Sequence, residues 1–391
     1  MEVILKTLDA EGLRRFQNLQ GAAISAVTDR FYATHGSLYQ QFGERGRDAC
    51  REDLVFHLEF LRPVLEFGLV QPMVDYLCWL GDVLSVRMIP GDHLALSLDW
   101  LAEFFAGQLA ADDAEVVTTA LHAARVKYVE ASGTALVPQQ SPAPWPQAAS
   151  FEAALLAGKQ HEALAIVNDM IDAGGKLVDI ELHVIQPALY GIGEKWQANQ
   201  VTVAQEHLAT AIVQSIMTVA LLRSQPPVAV NKRIVLACVE GNNHAVGLRM
   251  VADAFQMAGW DVQYLGANVP TLALVQQVVE WKPLLLGLSV SFAQQLKGVK
   301  AVIIQLEKRL GAARPGVIVG GLAINRFNQL AAAVGADAYS SDAESALDCA
   351  NRLIGDRVIQ WAGVYPNFGI CGPSCWRRWT TRSRRAPRPP P

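Results

Sequence analysis

Apolar residues recur at helical spacing through the first third of the chain, as in the series Leu54, Leu58, Leu61 and Leu65. This period of three and four residues is typical of one face of an α-helix. Pro72 begins another helix, and the stretch 89–92 (Ile-Pro-Gly-Asp) breaks the pattern before a further helix. No strand-like alternation interrupts the series. The pattern therefore predicts an all-α domain over residues 1–136, followed by a proline-rich linker over 137–149.

A second, smaller helical unit is predicted over residues 150–225. Ser150 is expected to cap the first of four helices, and Pro187 is expected to kink the third. Thr202 is followed three residues later by Gln205, which is the pattern of a capping box at the start of the last helix. Four short helices bury little apolar surface alone, so this unit is expected to pack against the domain that follows.

From residue 230 to 355 the pattern changes to short apolar runs that alternate with amphipathic stretches. The predicted strands are 233–239, 261–265, 284–290, 316–320 and 336–340. The predicted helices are 246–258, 271–281, 294–310, 322–334 and 342–354. Apolar strands separated by crossover helices are typical of a parallel, doubly wound, Rossmann-like sheet. The whole chain is therefore predicted to be multidomain, α and α/β.

Charge and composition exclude several function classes. The 391 residues carry a formal net charge of −4, which gives no general attraction to nucleic acid or anionic lipid. No membrane span, secretion signal or helix-turn-helix with a basic recognition helix is visible, so we expect a cytoplasmic protein without membrane or direct DNA binding. Residues 356–391 are rich in arginine; a basic arm is one interpretation, and a disordered tail is the one we favour.

Polar loops follow three of the predicted strands and should meet at one edge of the sheet. They contain His244 after the first strand, Ser289 and Ser291 after the third, and Gly320 with Gly321 after the fourth. A neutral imidazole binds first-row transition metals, but this loop offers no second protein ligand. One imidazole suits a metal that is already coordinated by a macrocycle.

The pattern Asn242-x-His244-x-x-Gly247, followed by Ser289-x-Ser291 and Gly320-Gly321, resembles the signatures of the cobalamin-binding domain found in methionine synthase, corrinoid proteins and cobalamin-dependent mutases. The resemblance covers roughly residues 230–355. It implies that His244 is the lower cobalt ligand, and that the serines and the glycine pair line the slot for the cofactor's nucleotide tail. That family usually has Asp where this chain has Asn242, which can hydrogen-bond the imidazole without adding negative charge.

Trp196 and the pair Glu206-His207 resemble the signature of light-sensing regulators that depend on adenosylcobalamin. The resemblance implies that Trp196 and Glu206 line the adenosyl pocket, with the unit over 150–225 acting as a lid. In those regulators a histidine follows the tryptophan, whereas this chain has Gln197. A second imidazole would then come from His207 or His183, or its place would be taken by water. The alternative is an ordinary core tryptophan and a solvated helix start.

The first domain resembles the helical, globin-like sensor domain of photocobilins, which combine cobalamin with a bilin. The resemblance makes His57, Tyr76, Trp79 and His93 a candidate pocket for biliverdin. An aromatic and leucine stripe that is simply part of the core is the alternative.

These resemblances predict a sensor with no catalytic chemistry of its own. Photolysis of adenosylcobalamin would change lid packing or the assembly of a homo-oligomer, and the signal would leave through an output protein or a domain lost from this chain. The alternatives are a corrinoid methyl carrier of a methyltransferase system and a simple cobalamin-binding or storage module.

Overall fold

The computed structural model describes residues 5–131, 142–225 and 227–364. The first helical unit (residues 5–131) consists of α1 Ala10–Tyr39, α2 Gly43–Phe67, α3 Gln71–Ser85, α4 Asp92–Gln108 and α5 Ala111–Ala131, with a 3₁₀ turn at Gln40–Phe42. Pro72 lies in the first turn of α3, where its missing N–H costs no hydrogen bond. The unit has its own apolar core, in which Phe16, Leu61, Leu98 and Phe105 are fully buried. The predicted all-helical domain is confirmed.

The second helical unit (residues 142–225) comprises α6 Gln147–Leu156, α7 Gln160–Asp172, α8 Leu177–Ile180, a π-helical segment Glu181–Ile185, α9 Gln186–Gln197 and α10 Val203–Arg223. The predicted start at Ser150 was wrong, because Pro146 already has helical angles and the helix begins directly after it. The Thr202 capping box is confirmed: Gln205 N–H donates to Thr202 Oγ1 at 3.2 Å, and Thr202 N–H donates to Gln205 Oε1 at 3.0 Å.

Pro187 lies in the first turn of α9, directly after the π-helical segment. A proline inside a helix lacks an N–H and crowds the carbonyl four residues earlier, which here belongs to His183. A wider π turn relieves that crowding. The kink that the sequence predicted at Pro187 stays a prediction; the structure shows a π segment that ends two residues before it.

The sheet unit (residues 227–364) contains the strands β1 Arg233–Val239, β2 Asp261–Val269, β3 Leu285–Ser289, β4 Gly316–Gly320 and β5 Ala338–Tyr339. All neighbours pair in parallel, in the order β2-β1-β3-β4-β5. The helices are α11 Val246–Met257, α12 Thr271–Trp281, α13 Leu296–Leu310, α14 Leu322–Arg326, α15 Gln329–Ala333 and α16 Ala343–Val364, with 3₁₀ turns at Ala293–Gln295 and Gly311–Ala313. The predicted doubly wound, five-stranded sheet is confirmed.

Three predicted boundaries in this unit were wrong. The predicted helix over 322–334 is two short helices, because Phe327 leaves helical angles (φ −134°, ψ 68°). Strand β2 continues to Val269, because it pairs with β1 beyond two register shifts. Helix α16 continues to Val364, past the predicted end of the domain at 355. Residues 365–391 of the predicted tail and residues 137–141 of the predicted linker lie outside the described residues.

Helices cover both faces of the sheet. α12 and α13 pack on one face through residues such as Val278 and Val299, and α11 and α16 pack on the other through Phe255 and Ala350. The second helical unit joins the α11 side, since Met250 of α11 belongs to that unit's core. Within the described ranges, no helix is long and apolar enough to cross a membrane.

The first helical unit packs beside the carboxyl ends of β1 and β3. Phe60 of α2 contacts the ring of Phe292, in the loop after β3, with 6.1 Å between ring centroids. Nearby, Lys297 pairs with Glu59 at 3.3 Å and Lys300 pairs with Glu66 at 3.1 Å. These contacts place α2 against the edge of the sheet at which the candidate site residues lie.

Candidate functional site

The strand order creates a crevice between the loops that follow β1 and β3. The chain leaves β1 towards α11 on one face of the sheet and leaves β3 towards α13 on the other. In open parallel sheets, ligands bind at this point, where adjacent connections diverge. His244 lies in the loop after β1, and Ser291 lies in the loop after β3. The fold therefore brings these two predicted site residues to one crevice.

His244 presents its imidazole to a cavity beside this crevice. The ring of Phe292 packs edge-on against it, with 5.3 Å between centroids and an angle of 80°. Desolvation by the surrounding protein lowers the pKa of His244, and the nearby Glu206 carboxylate opposes this effect. A lowered pKa favours the neutral imidazole, which is the form that binds a metal.

Asn242 is completely buried below this loop. Its Nδ2 donates to the Ser289 carbonyl at 2.9 Å, and its Oδ1 accepts the backbone N–H of His244 at 3.1 Å. An Asn side chain that binds the N–H two residues later stabilises a tight turn. Asn242 thus contacts the backbone of His244, whereas the family resemblance allowed a hydrogen bond to its imidazole. Asn242 joins the loop to β3.

The glycine pair stands beside the serine segment. Gly320 pairs in register with Ser289, across β3 and β4. Gly321 has a φ of +96°, and a Cβ at this position would lie 2.5 Å from the Val290 carbonyl oxygen. No side chain fits at 321 without displacing backbone. Gly247, in the first turn of α11, has open space where its Cβ would be.

Gln295 is a buried residue of this site that sequence reasoning missed. Its Nε2 donates to the Gly241 carbonyl at 2.9 Å, and its Oε1 accepts the N–H groups of Ser291 and Phe292 at 3.0 and 3.1 Å. A glutamine three residues after Phe292, at the start of a predicted helix, was the available signal. Gln295 joins the loops after β1 and β3.

A single cavity of about 990 Å³ extends from His244 into the first helical unit. All three units contribute to its walls. The predicted site residues among its lining are His57, Tyr76, Trp79, His93, Trp196, His244 and Ser291. Gln197 lines it as well. The structure therefore brings together two groups of residues that the sequence assigned to separate pockets.

Trp196 of the second helical unit contacts the first helical unit. Its ring stacks on that of Trp79, with 6.4 Å between centroids and an angle of 28°. Glu206 accepts a hydrogen bond from Thr210 Oγ1 at 3.0 Å and is paired with His207, whose side chain is exposed. His183 donates from Nδ1 to the Ala143 carbonyl at 2.8 Å and stacks on Trp145. Neither His207 nor His183 lines the cavity.

The part of the cavity inside the first helical unit is apolar with a few polar groups. His57 Nδ1 and Tyr76 Oη are 3.0 Å apart, and burial lowers the pKa of His57 to about 4. Burial also raises the pKa of Asp53, another lining residue, to about 6. His93 Nδ1 is hydrogen-bonded to Tyr39 Oη at 2.5 Å. Because its pKa is about 4, His57 is uncharged at neutral pH.

The described residues contain no cluster of three or more His, Cys, Asp or Glu side chains that could hold a metal ion. No described hydrogen bond uses the imidazole of His244, which leaves its nitrogen available to a ligand in the cavity. A single free imidazole suits a metal whose other ligands come with its own macrocycle. The residues present thus fit a corrinoid better than a bare ion.

Comparison with known proteins also indicates a corrinoid-binding protein. Models of the B12 binding domain match residues 232–348 and 147–221. The dimethylamine corrinoid protein 3 of Methanosarcina mazei is 30% identical over 121 residues, which cover 31% of this chain and 71% of that protein. The chain belongs to the B12-binding domain family. The two matched ranges of this B12-binding protein fall in the sheet unit and the second helical unit.

The chain spans less than two thirds of the length of two other curated relatives. The HTH-type transcriptional repressor CarH of Myxococcus xanthus is 30% identical over 181 residues, and the B12-binding chain spans 60% of that repressor. The repressor CarA from the same organism is 29% identical, with 63% of its length covered. The solved monomethylamine corrinoid protein of Methanosarcina barkeri superposes with a TM-score of 0.43 at 19% identity, over 50% of this chain and 92% of that one. The B12-binding domains indicate a cobalamin or related corrinoid as the cofactor.

Proposed function

We propose that this protein is a cobalamin-dependent light sensor in which His244 is the lower cobalt ligand and the second helical unit covers the upper face of adenosylcobalamin. The observation that supports this best is the continuous cavity of about 990 Å³ that joins His244, Trp196 and the first helical unit. A change at the cofactor would then act directly on side chains of the first helical unit. Adenosylcobalamin supplies a cobalt–carbon bond that light can break.

The protein's part in this proposal is to hold two helical units together through the cofactor site. Trp196 and Glu206 would contact the adenosyl group, and Trp79 stacks on Trp196 from the other unit. A ligand shifts a conformational equilibrium only as far as it binds the two states unequally. Loss of the adenosyl group would remove contacts at Trp196 and thereby change how the units pack or assemble. Ser289, Ser291, Gly320 and Gly321 would line the slot for the nucleotide tail.

We further propose biliverdin as a second chromophore in the part of the cavity that His57, Tyr76, Trp79 and His93 line. Four aromatic or imidazole side chains around an apolar space suit a planar conjugated ligand. His57 is neutral, and the pKa of Asp53 is raised to about 6. These two side chains would form hydrogen bonds with the pyrrole nitrogens or lactam oxygens of the bilin.

Light should change both the absorption spectrum of the loaded protein and the molecular mass of its assembly. We expect protein loaded with adenosylcobalamin in the dark to lose the adenosyl spectrum on illumination and to change its oligomeric state. Absorbance and light scattering after size-exclusion chromatography measure the two effects. Methylcobalamin- and biliverdin-loaded samples, treated in the same way, are the comparisons. An unchanged mass in every illuminated sample would contradict a sensor that signals through assembly.

Replacing Trp196 with alanine should reduce the preference for the adenosyl form. Removal of a large aromatic contact leaves the adenosyl group less covered, whereas smaller upper ligands lose less. We expect the ratio of dissociation constants for methylcobalamin and adenosylcobalamin to fall about tenfold, which corresponds to about 1.4 kcal/mol. Trp145→Ala is the matched control, because Trp145 lies in the same unit but does not line the cavity. A ratio equal to that of the control would argue against Trp196 as an upper-face residue.

A corrinoid methyl carrier is the second candidate, favoured by the 30% identity to the dimethylamine corrinoid protein of M. mazei. Such a protein would present its cofactor to a methyltransferase. The two candidates differ in the form of cofactor they retain and in their response to light. Preferential retention of methylcobalamin, with dark and illuminated samples of equal mass, would favour the methyl carrier.

A further inference from the structure

The ring of Phe292 connects His244 to the first helical unit. On one side it packs edge-on against the imidazole, with 5.3 Å between centroids. On the other side it makes an edge contact with Phe60 of α2, at 6.1 Å and 77°. Phe292 is half-buried and lines the same cavity as His244. Phe292 directly follows the Ser289-x-Ser291 segment and is not part of the cobalamin-binding signature.

The backbone of Phe292 is held by Gln295. The buried amide of Gln295 accepts the N–H of Phe292 and donates to the carbonyl of Gly241, three residues before His244. The loop that carries the ring and the loop that carries the imidazole are therefore fixed to each other. A shift of one loop must break one of these bonds or move the other loop.

Ring packing is the contact that orients the imidazole in this chain. Both polar atoms of the Asn242 side chain are used on backbone groups. Among the described residues, no hydrogen bond to the imidazole nitrogens fixes the angle of the ring. The T-shaped contact with the ring of Phe292 thus restricts rotation about the His244 side-chain bonds.

The ring contacts continue from Phe60 to the second helical unit. Phe60 stacks on Tyr76, with 4.0 Å between centroids and an angle of 7°. Tyr76 contacts Trp79 at 6.3 Å, and Trp79 stacks on Trp196 at 6.4 Å. A continuous series of aromatic contacts therefore runs from His244 through the first helical unit to Trp196.

We propose that Phe292 is a positioning residue that orients His244 towards the cobalt, and that its contact with Phe60 makes this orientation depend on the first helical unit. The proposal rests on the proposed role of His244 as the cobalt ligand. Phe292 does not supply a ligand atom; it acts through the imidazole. It couples two sites through packed side chains, so the coupling must be measurable as non-additivity.

The test measures imidazole ligation directly, by electron paramagnetic resonance of full-length protein loaded with cob(II)alamin. Nitrogen superhyperfine splitting reports a nitrogen ligand on the cobalt. Isotopic labelling of the histidine nitrogens changes the splitting when that ligand is an imidazole of the protein and leaves it unchanged when it is the cofactor's own benzimidazole. Aromatic pairs of this geometry are worth enough to shift an equilibrium about two- to tenfold. We therefore expect Phe292→Leu to raise the ratio of unligated to ligated cobalt by about that factor, and Phe292→Tyr to restore the wild-type ratio. Phe327→Leu is the matched control, since Phe327 lines the same cavity without a described ring contact to His244.

The outcomes separate this proposal from the one on which it rests. Splitting that does not respond to histidine labelling in the otherwise unchanged protein, or a histidine-derived splitting that persists in His244→Ala, refutes the ligand assignment itself. Loss of the histidine-derived splitting in His244→Ala, with Phe292→Leu equal to Phe327→Leu, refutes the positioning role. If Phe292→Leu does not fold, Gln295→Met replaces it, because this variant releases the same loop; a wild-type ratio there refutes the proposal equally.

A double-mutant cycle tests the contribution of the first helical unit. Phe60→Leu alone should shift the ligation ratio in the same direction as Phe292→Leu. Combined with Phe292→Leu, it should add less than its separate effect, because the contact between the two rings is already lost. Strict additivity, or no effect of Phe60→Leu alone, would overturn the link to the first helical unit.

Discussion

Replacing His244 with alanine is expected to shift the absorption spectrum of bound cobalamin and to weaken its binding about tenfold or more, equivalent to about 1.4 kcal/mol. The imidazole is the one cavity-facing nitrogen ligand in the loop after β1, and no described hydrogen bond competes for it. The fold should survive, because the side chain projects into the cavity and is not part of the sheet core. Visible spectra and retention of colour through a desalting column measure the two effects.

The control for this prediction is His161→Ala, which removes an exposed imidazole from α7 of the second helical unit. Its spectrum and affinity should equal those of the wild type. A His244→Ala protein with an unshifted spectrum would show that the cobalt has another lower ligand. A protein that binds no cobalamin even before substitution would remove the basis of the whole functional proposal.

A second large effect is expected at a buried carboxyl pair between the second helical unit and α11. Glu181, in the π-helical segment, and Asp253, in α11, are both fully buried. Arg249 Nε donates to Asp253 Oδ1 at 2.7 Å, so the guanidinium is paired with Asp253. Burial, followed by the charge of Asp253, raises the pKa of Glu181 well above its usual range. In the folded protein Glu181 therefore keeps its proton to a higher pH than a solvent-exposed glutamate does.

This proton makes stability depend on pH with a definite sign. The unfolded chain releases the Glu181 proton above its ordinary pKa of about 4.5, whereas the folded protein keeps it to a higher pH. Between these two values the folded state binds more protons, so the free energy of unfolding falls as pH rises, by up to about 1.4 kcal/mol per pH unit. Glu181→Gln should flatten this decline and stabilise the protein at pH 7 to 8.

Thermal or urea unfolding between pH 5 and 8 tests the prediction. Glu194→Gln in α9 is the matched control, because it removes an exposed carboxylate from the same unit. The curves of wild type and Glu194→Gln should run parallel, while that of Glu181→Gln should be shallower. Parallel curves for all three proteins would mean that the Glu181 proton does not contribute to folding.

Local sequence patterns predicted the sheet unit well. The apolar run before Glu240 became β1, and the polar residues after each run lie at one edge because parallel strands end together. The Thr202–Gln205 capping box also formed as predicted, because all of its bonds join residues at most three apart. Ser150 failed as a helix start, because an upstream proline already favoured helical angles.

Contacts between residues that are far apart along the chain could not be predicted from the sequence. Phe60 and Phe292, or Trp79 and Trp196, are separated by more than a hundred positions, and no periodicity predicts that their rings meet. The cavity that joins the three units depends on such contacts. Asn242 was placed in the correct loop, but its hydrogen bonds depend on the exact turn, which single residue types do not specify.

The stacked indoles of Trp79 and Trp196 also give the protein an intrinsic optical reporter. Corrins absorb where tryptophan emits, so a pair that lines the cofactor cavity should be quenched in the loaded protein. Separation of the helical units would change both this quenching and the near-ultraviolet dichroism of the pair. The kinetics of that rearrangement could therefore be followed by stopped-flow fluorescence on unlabelled protein.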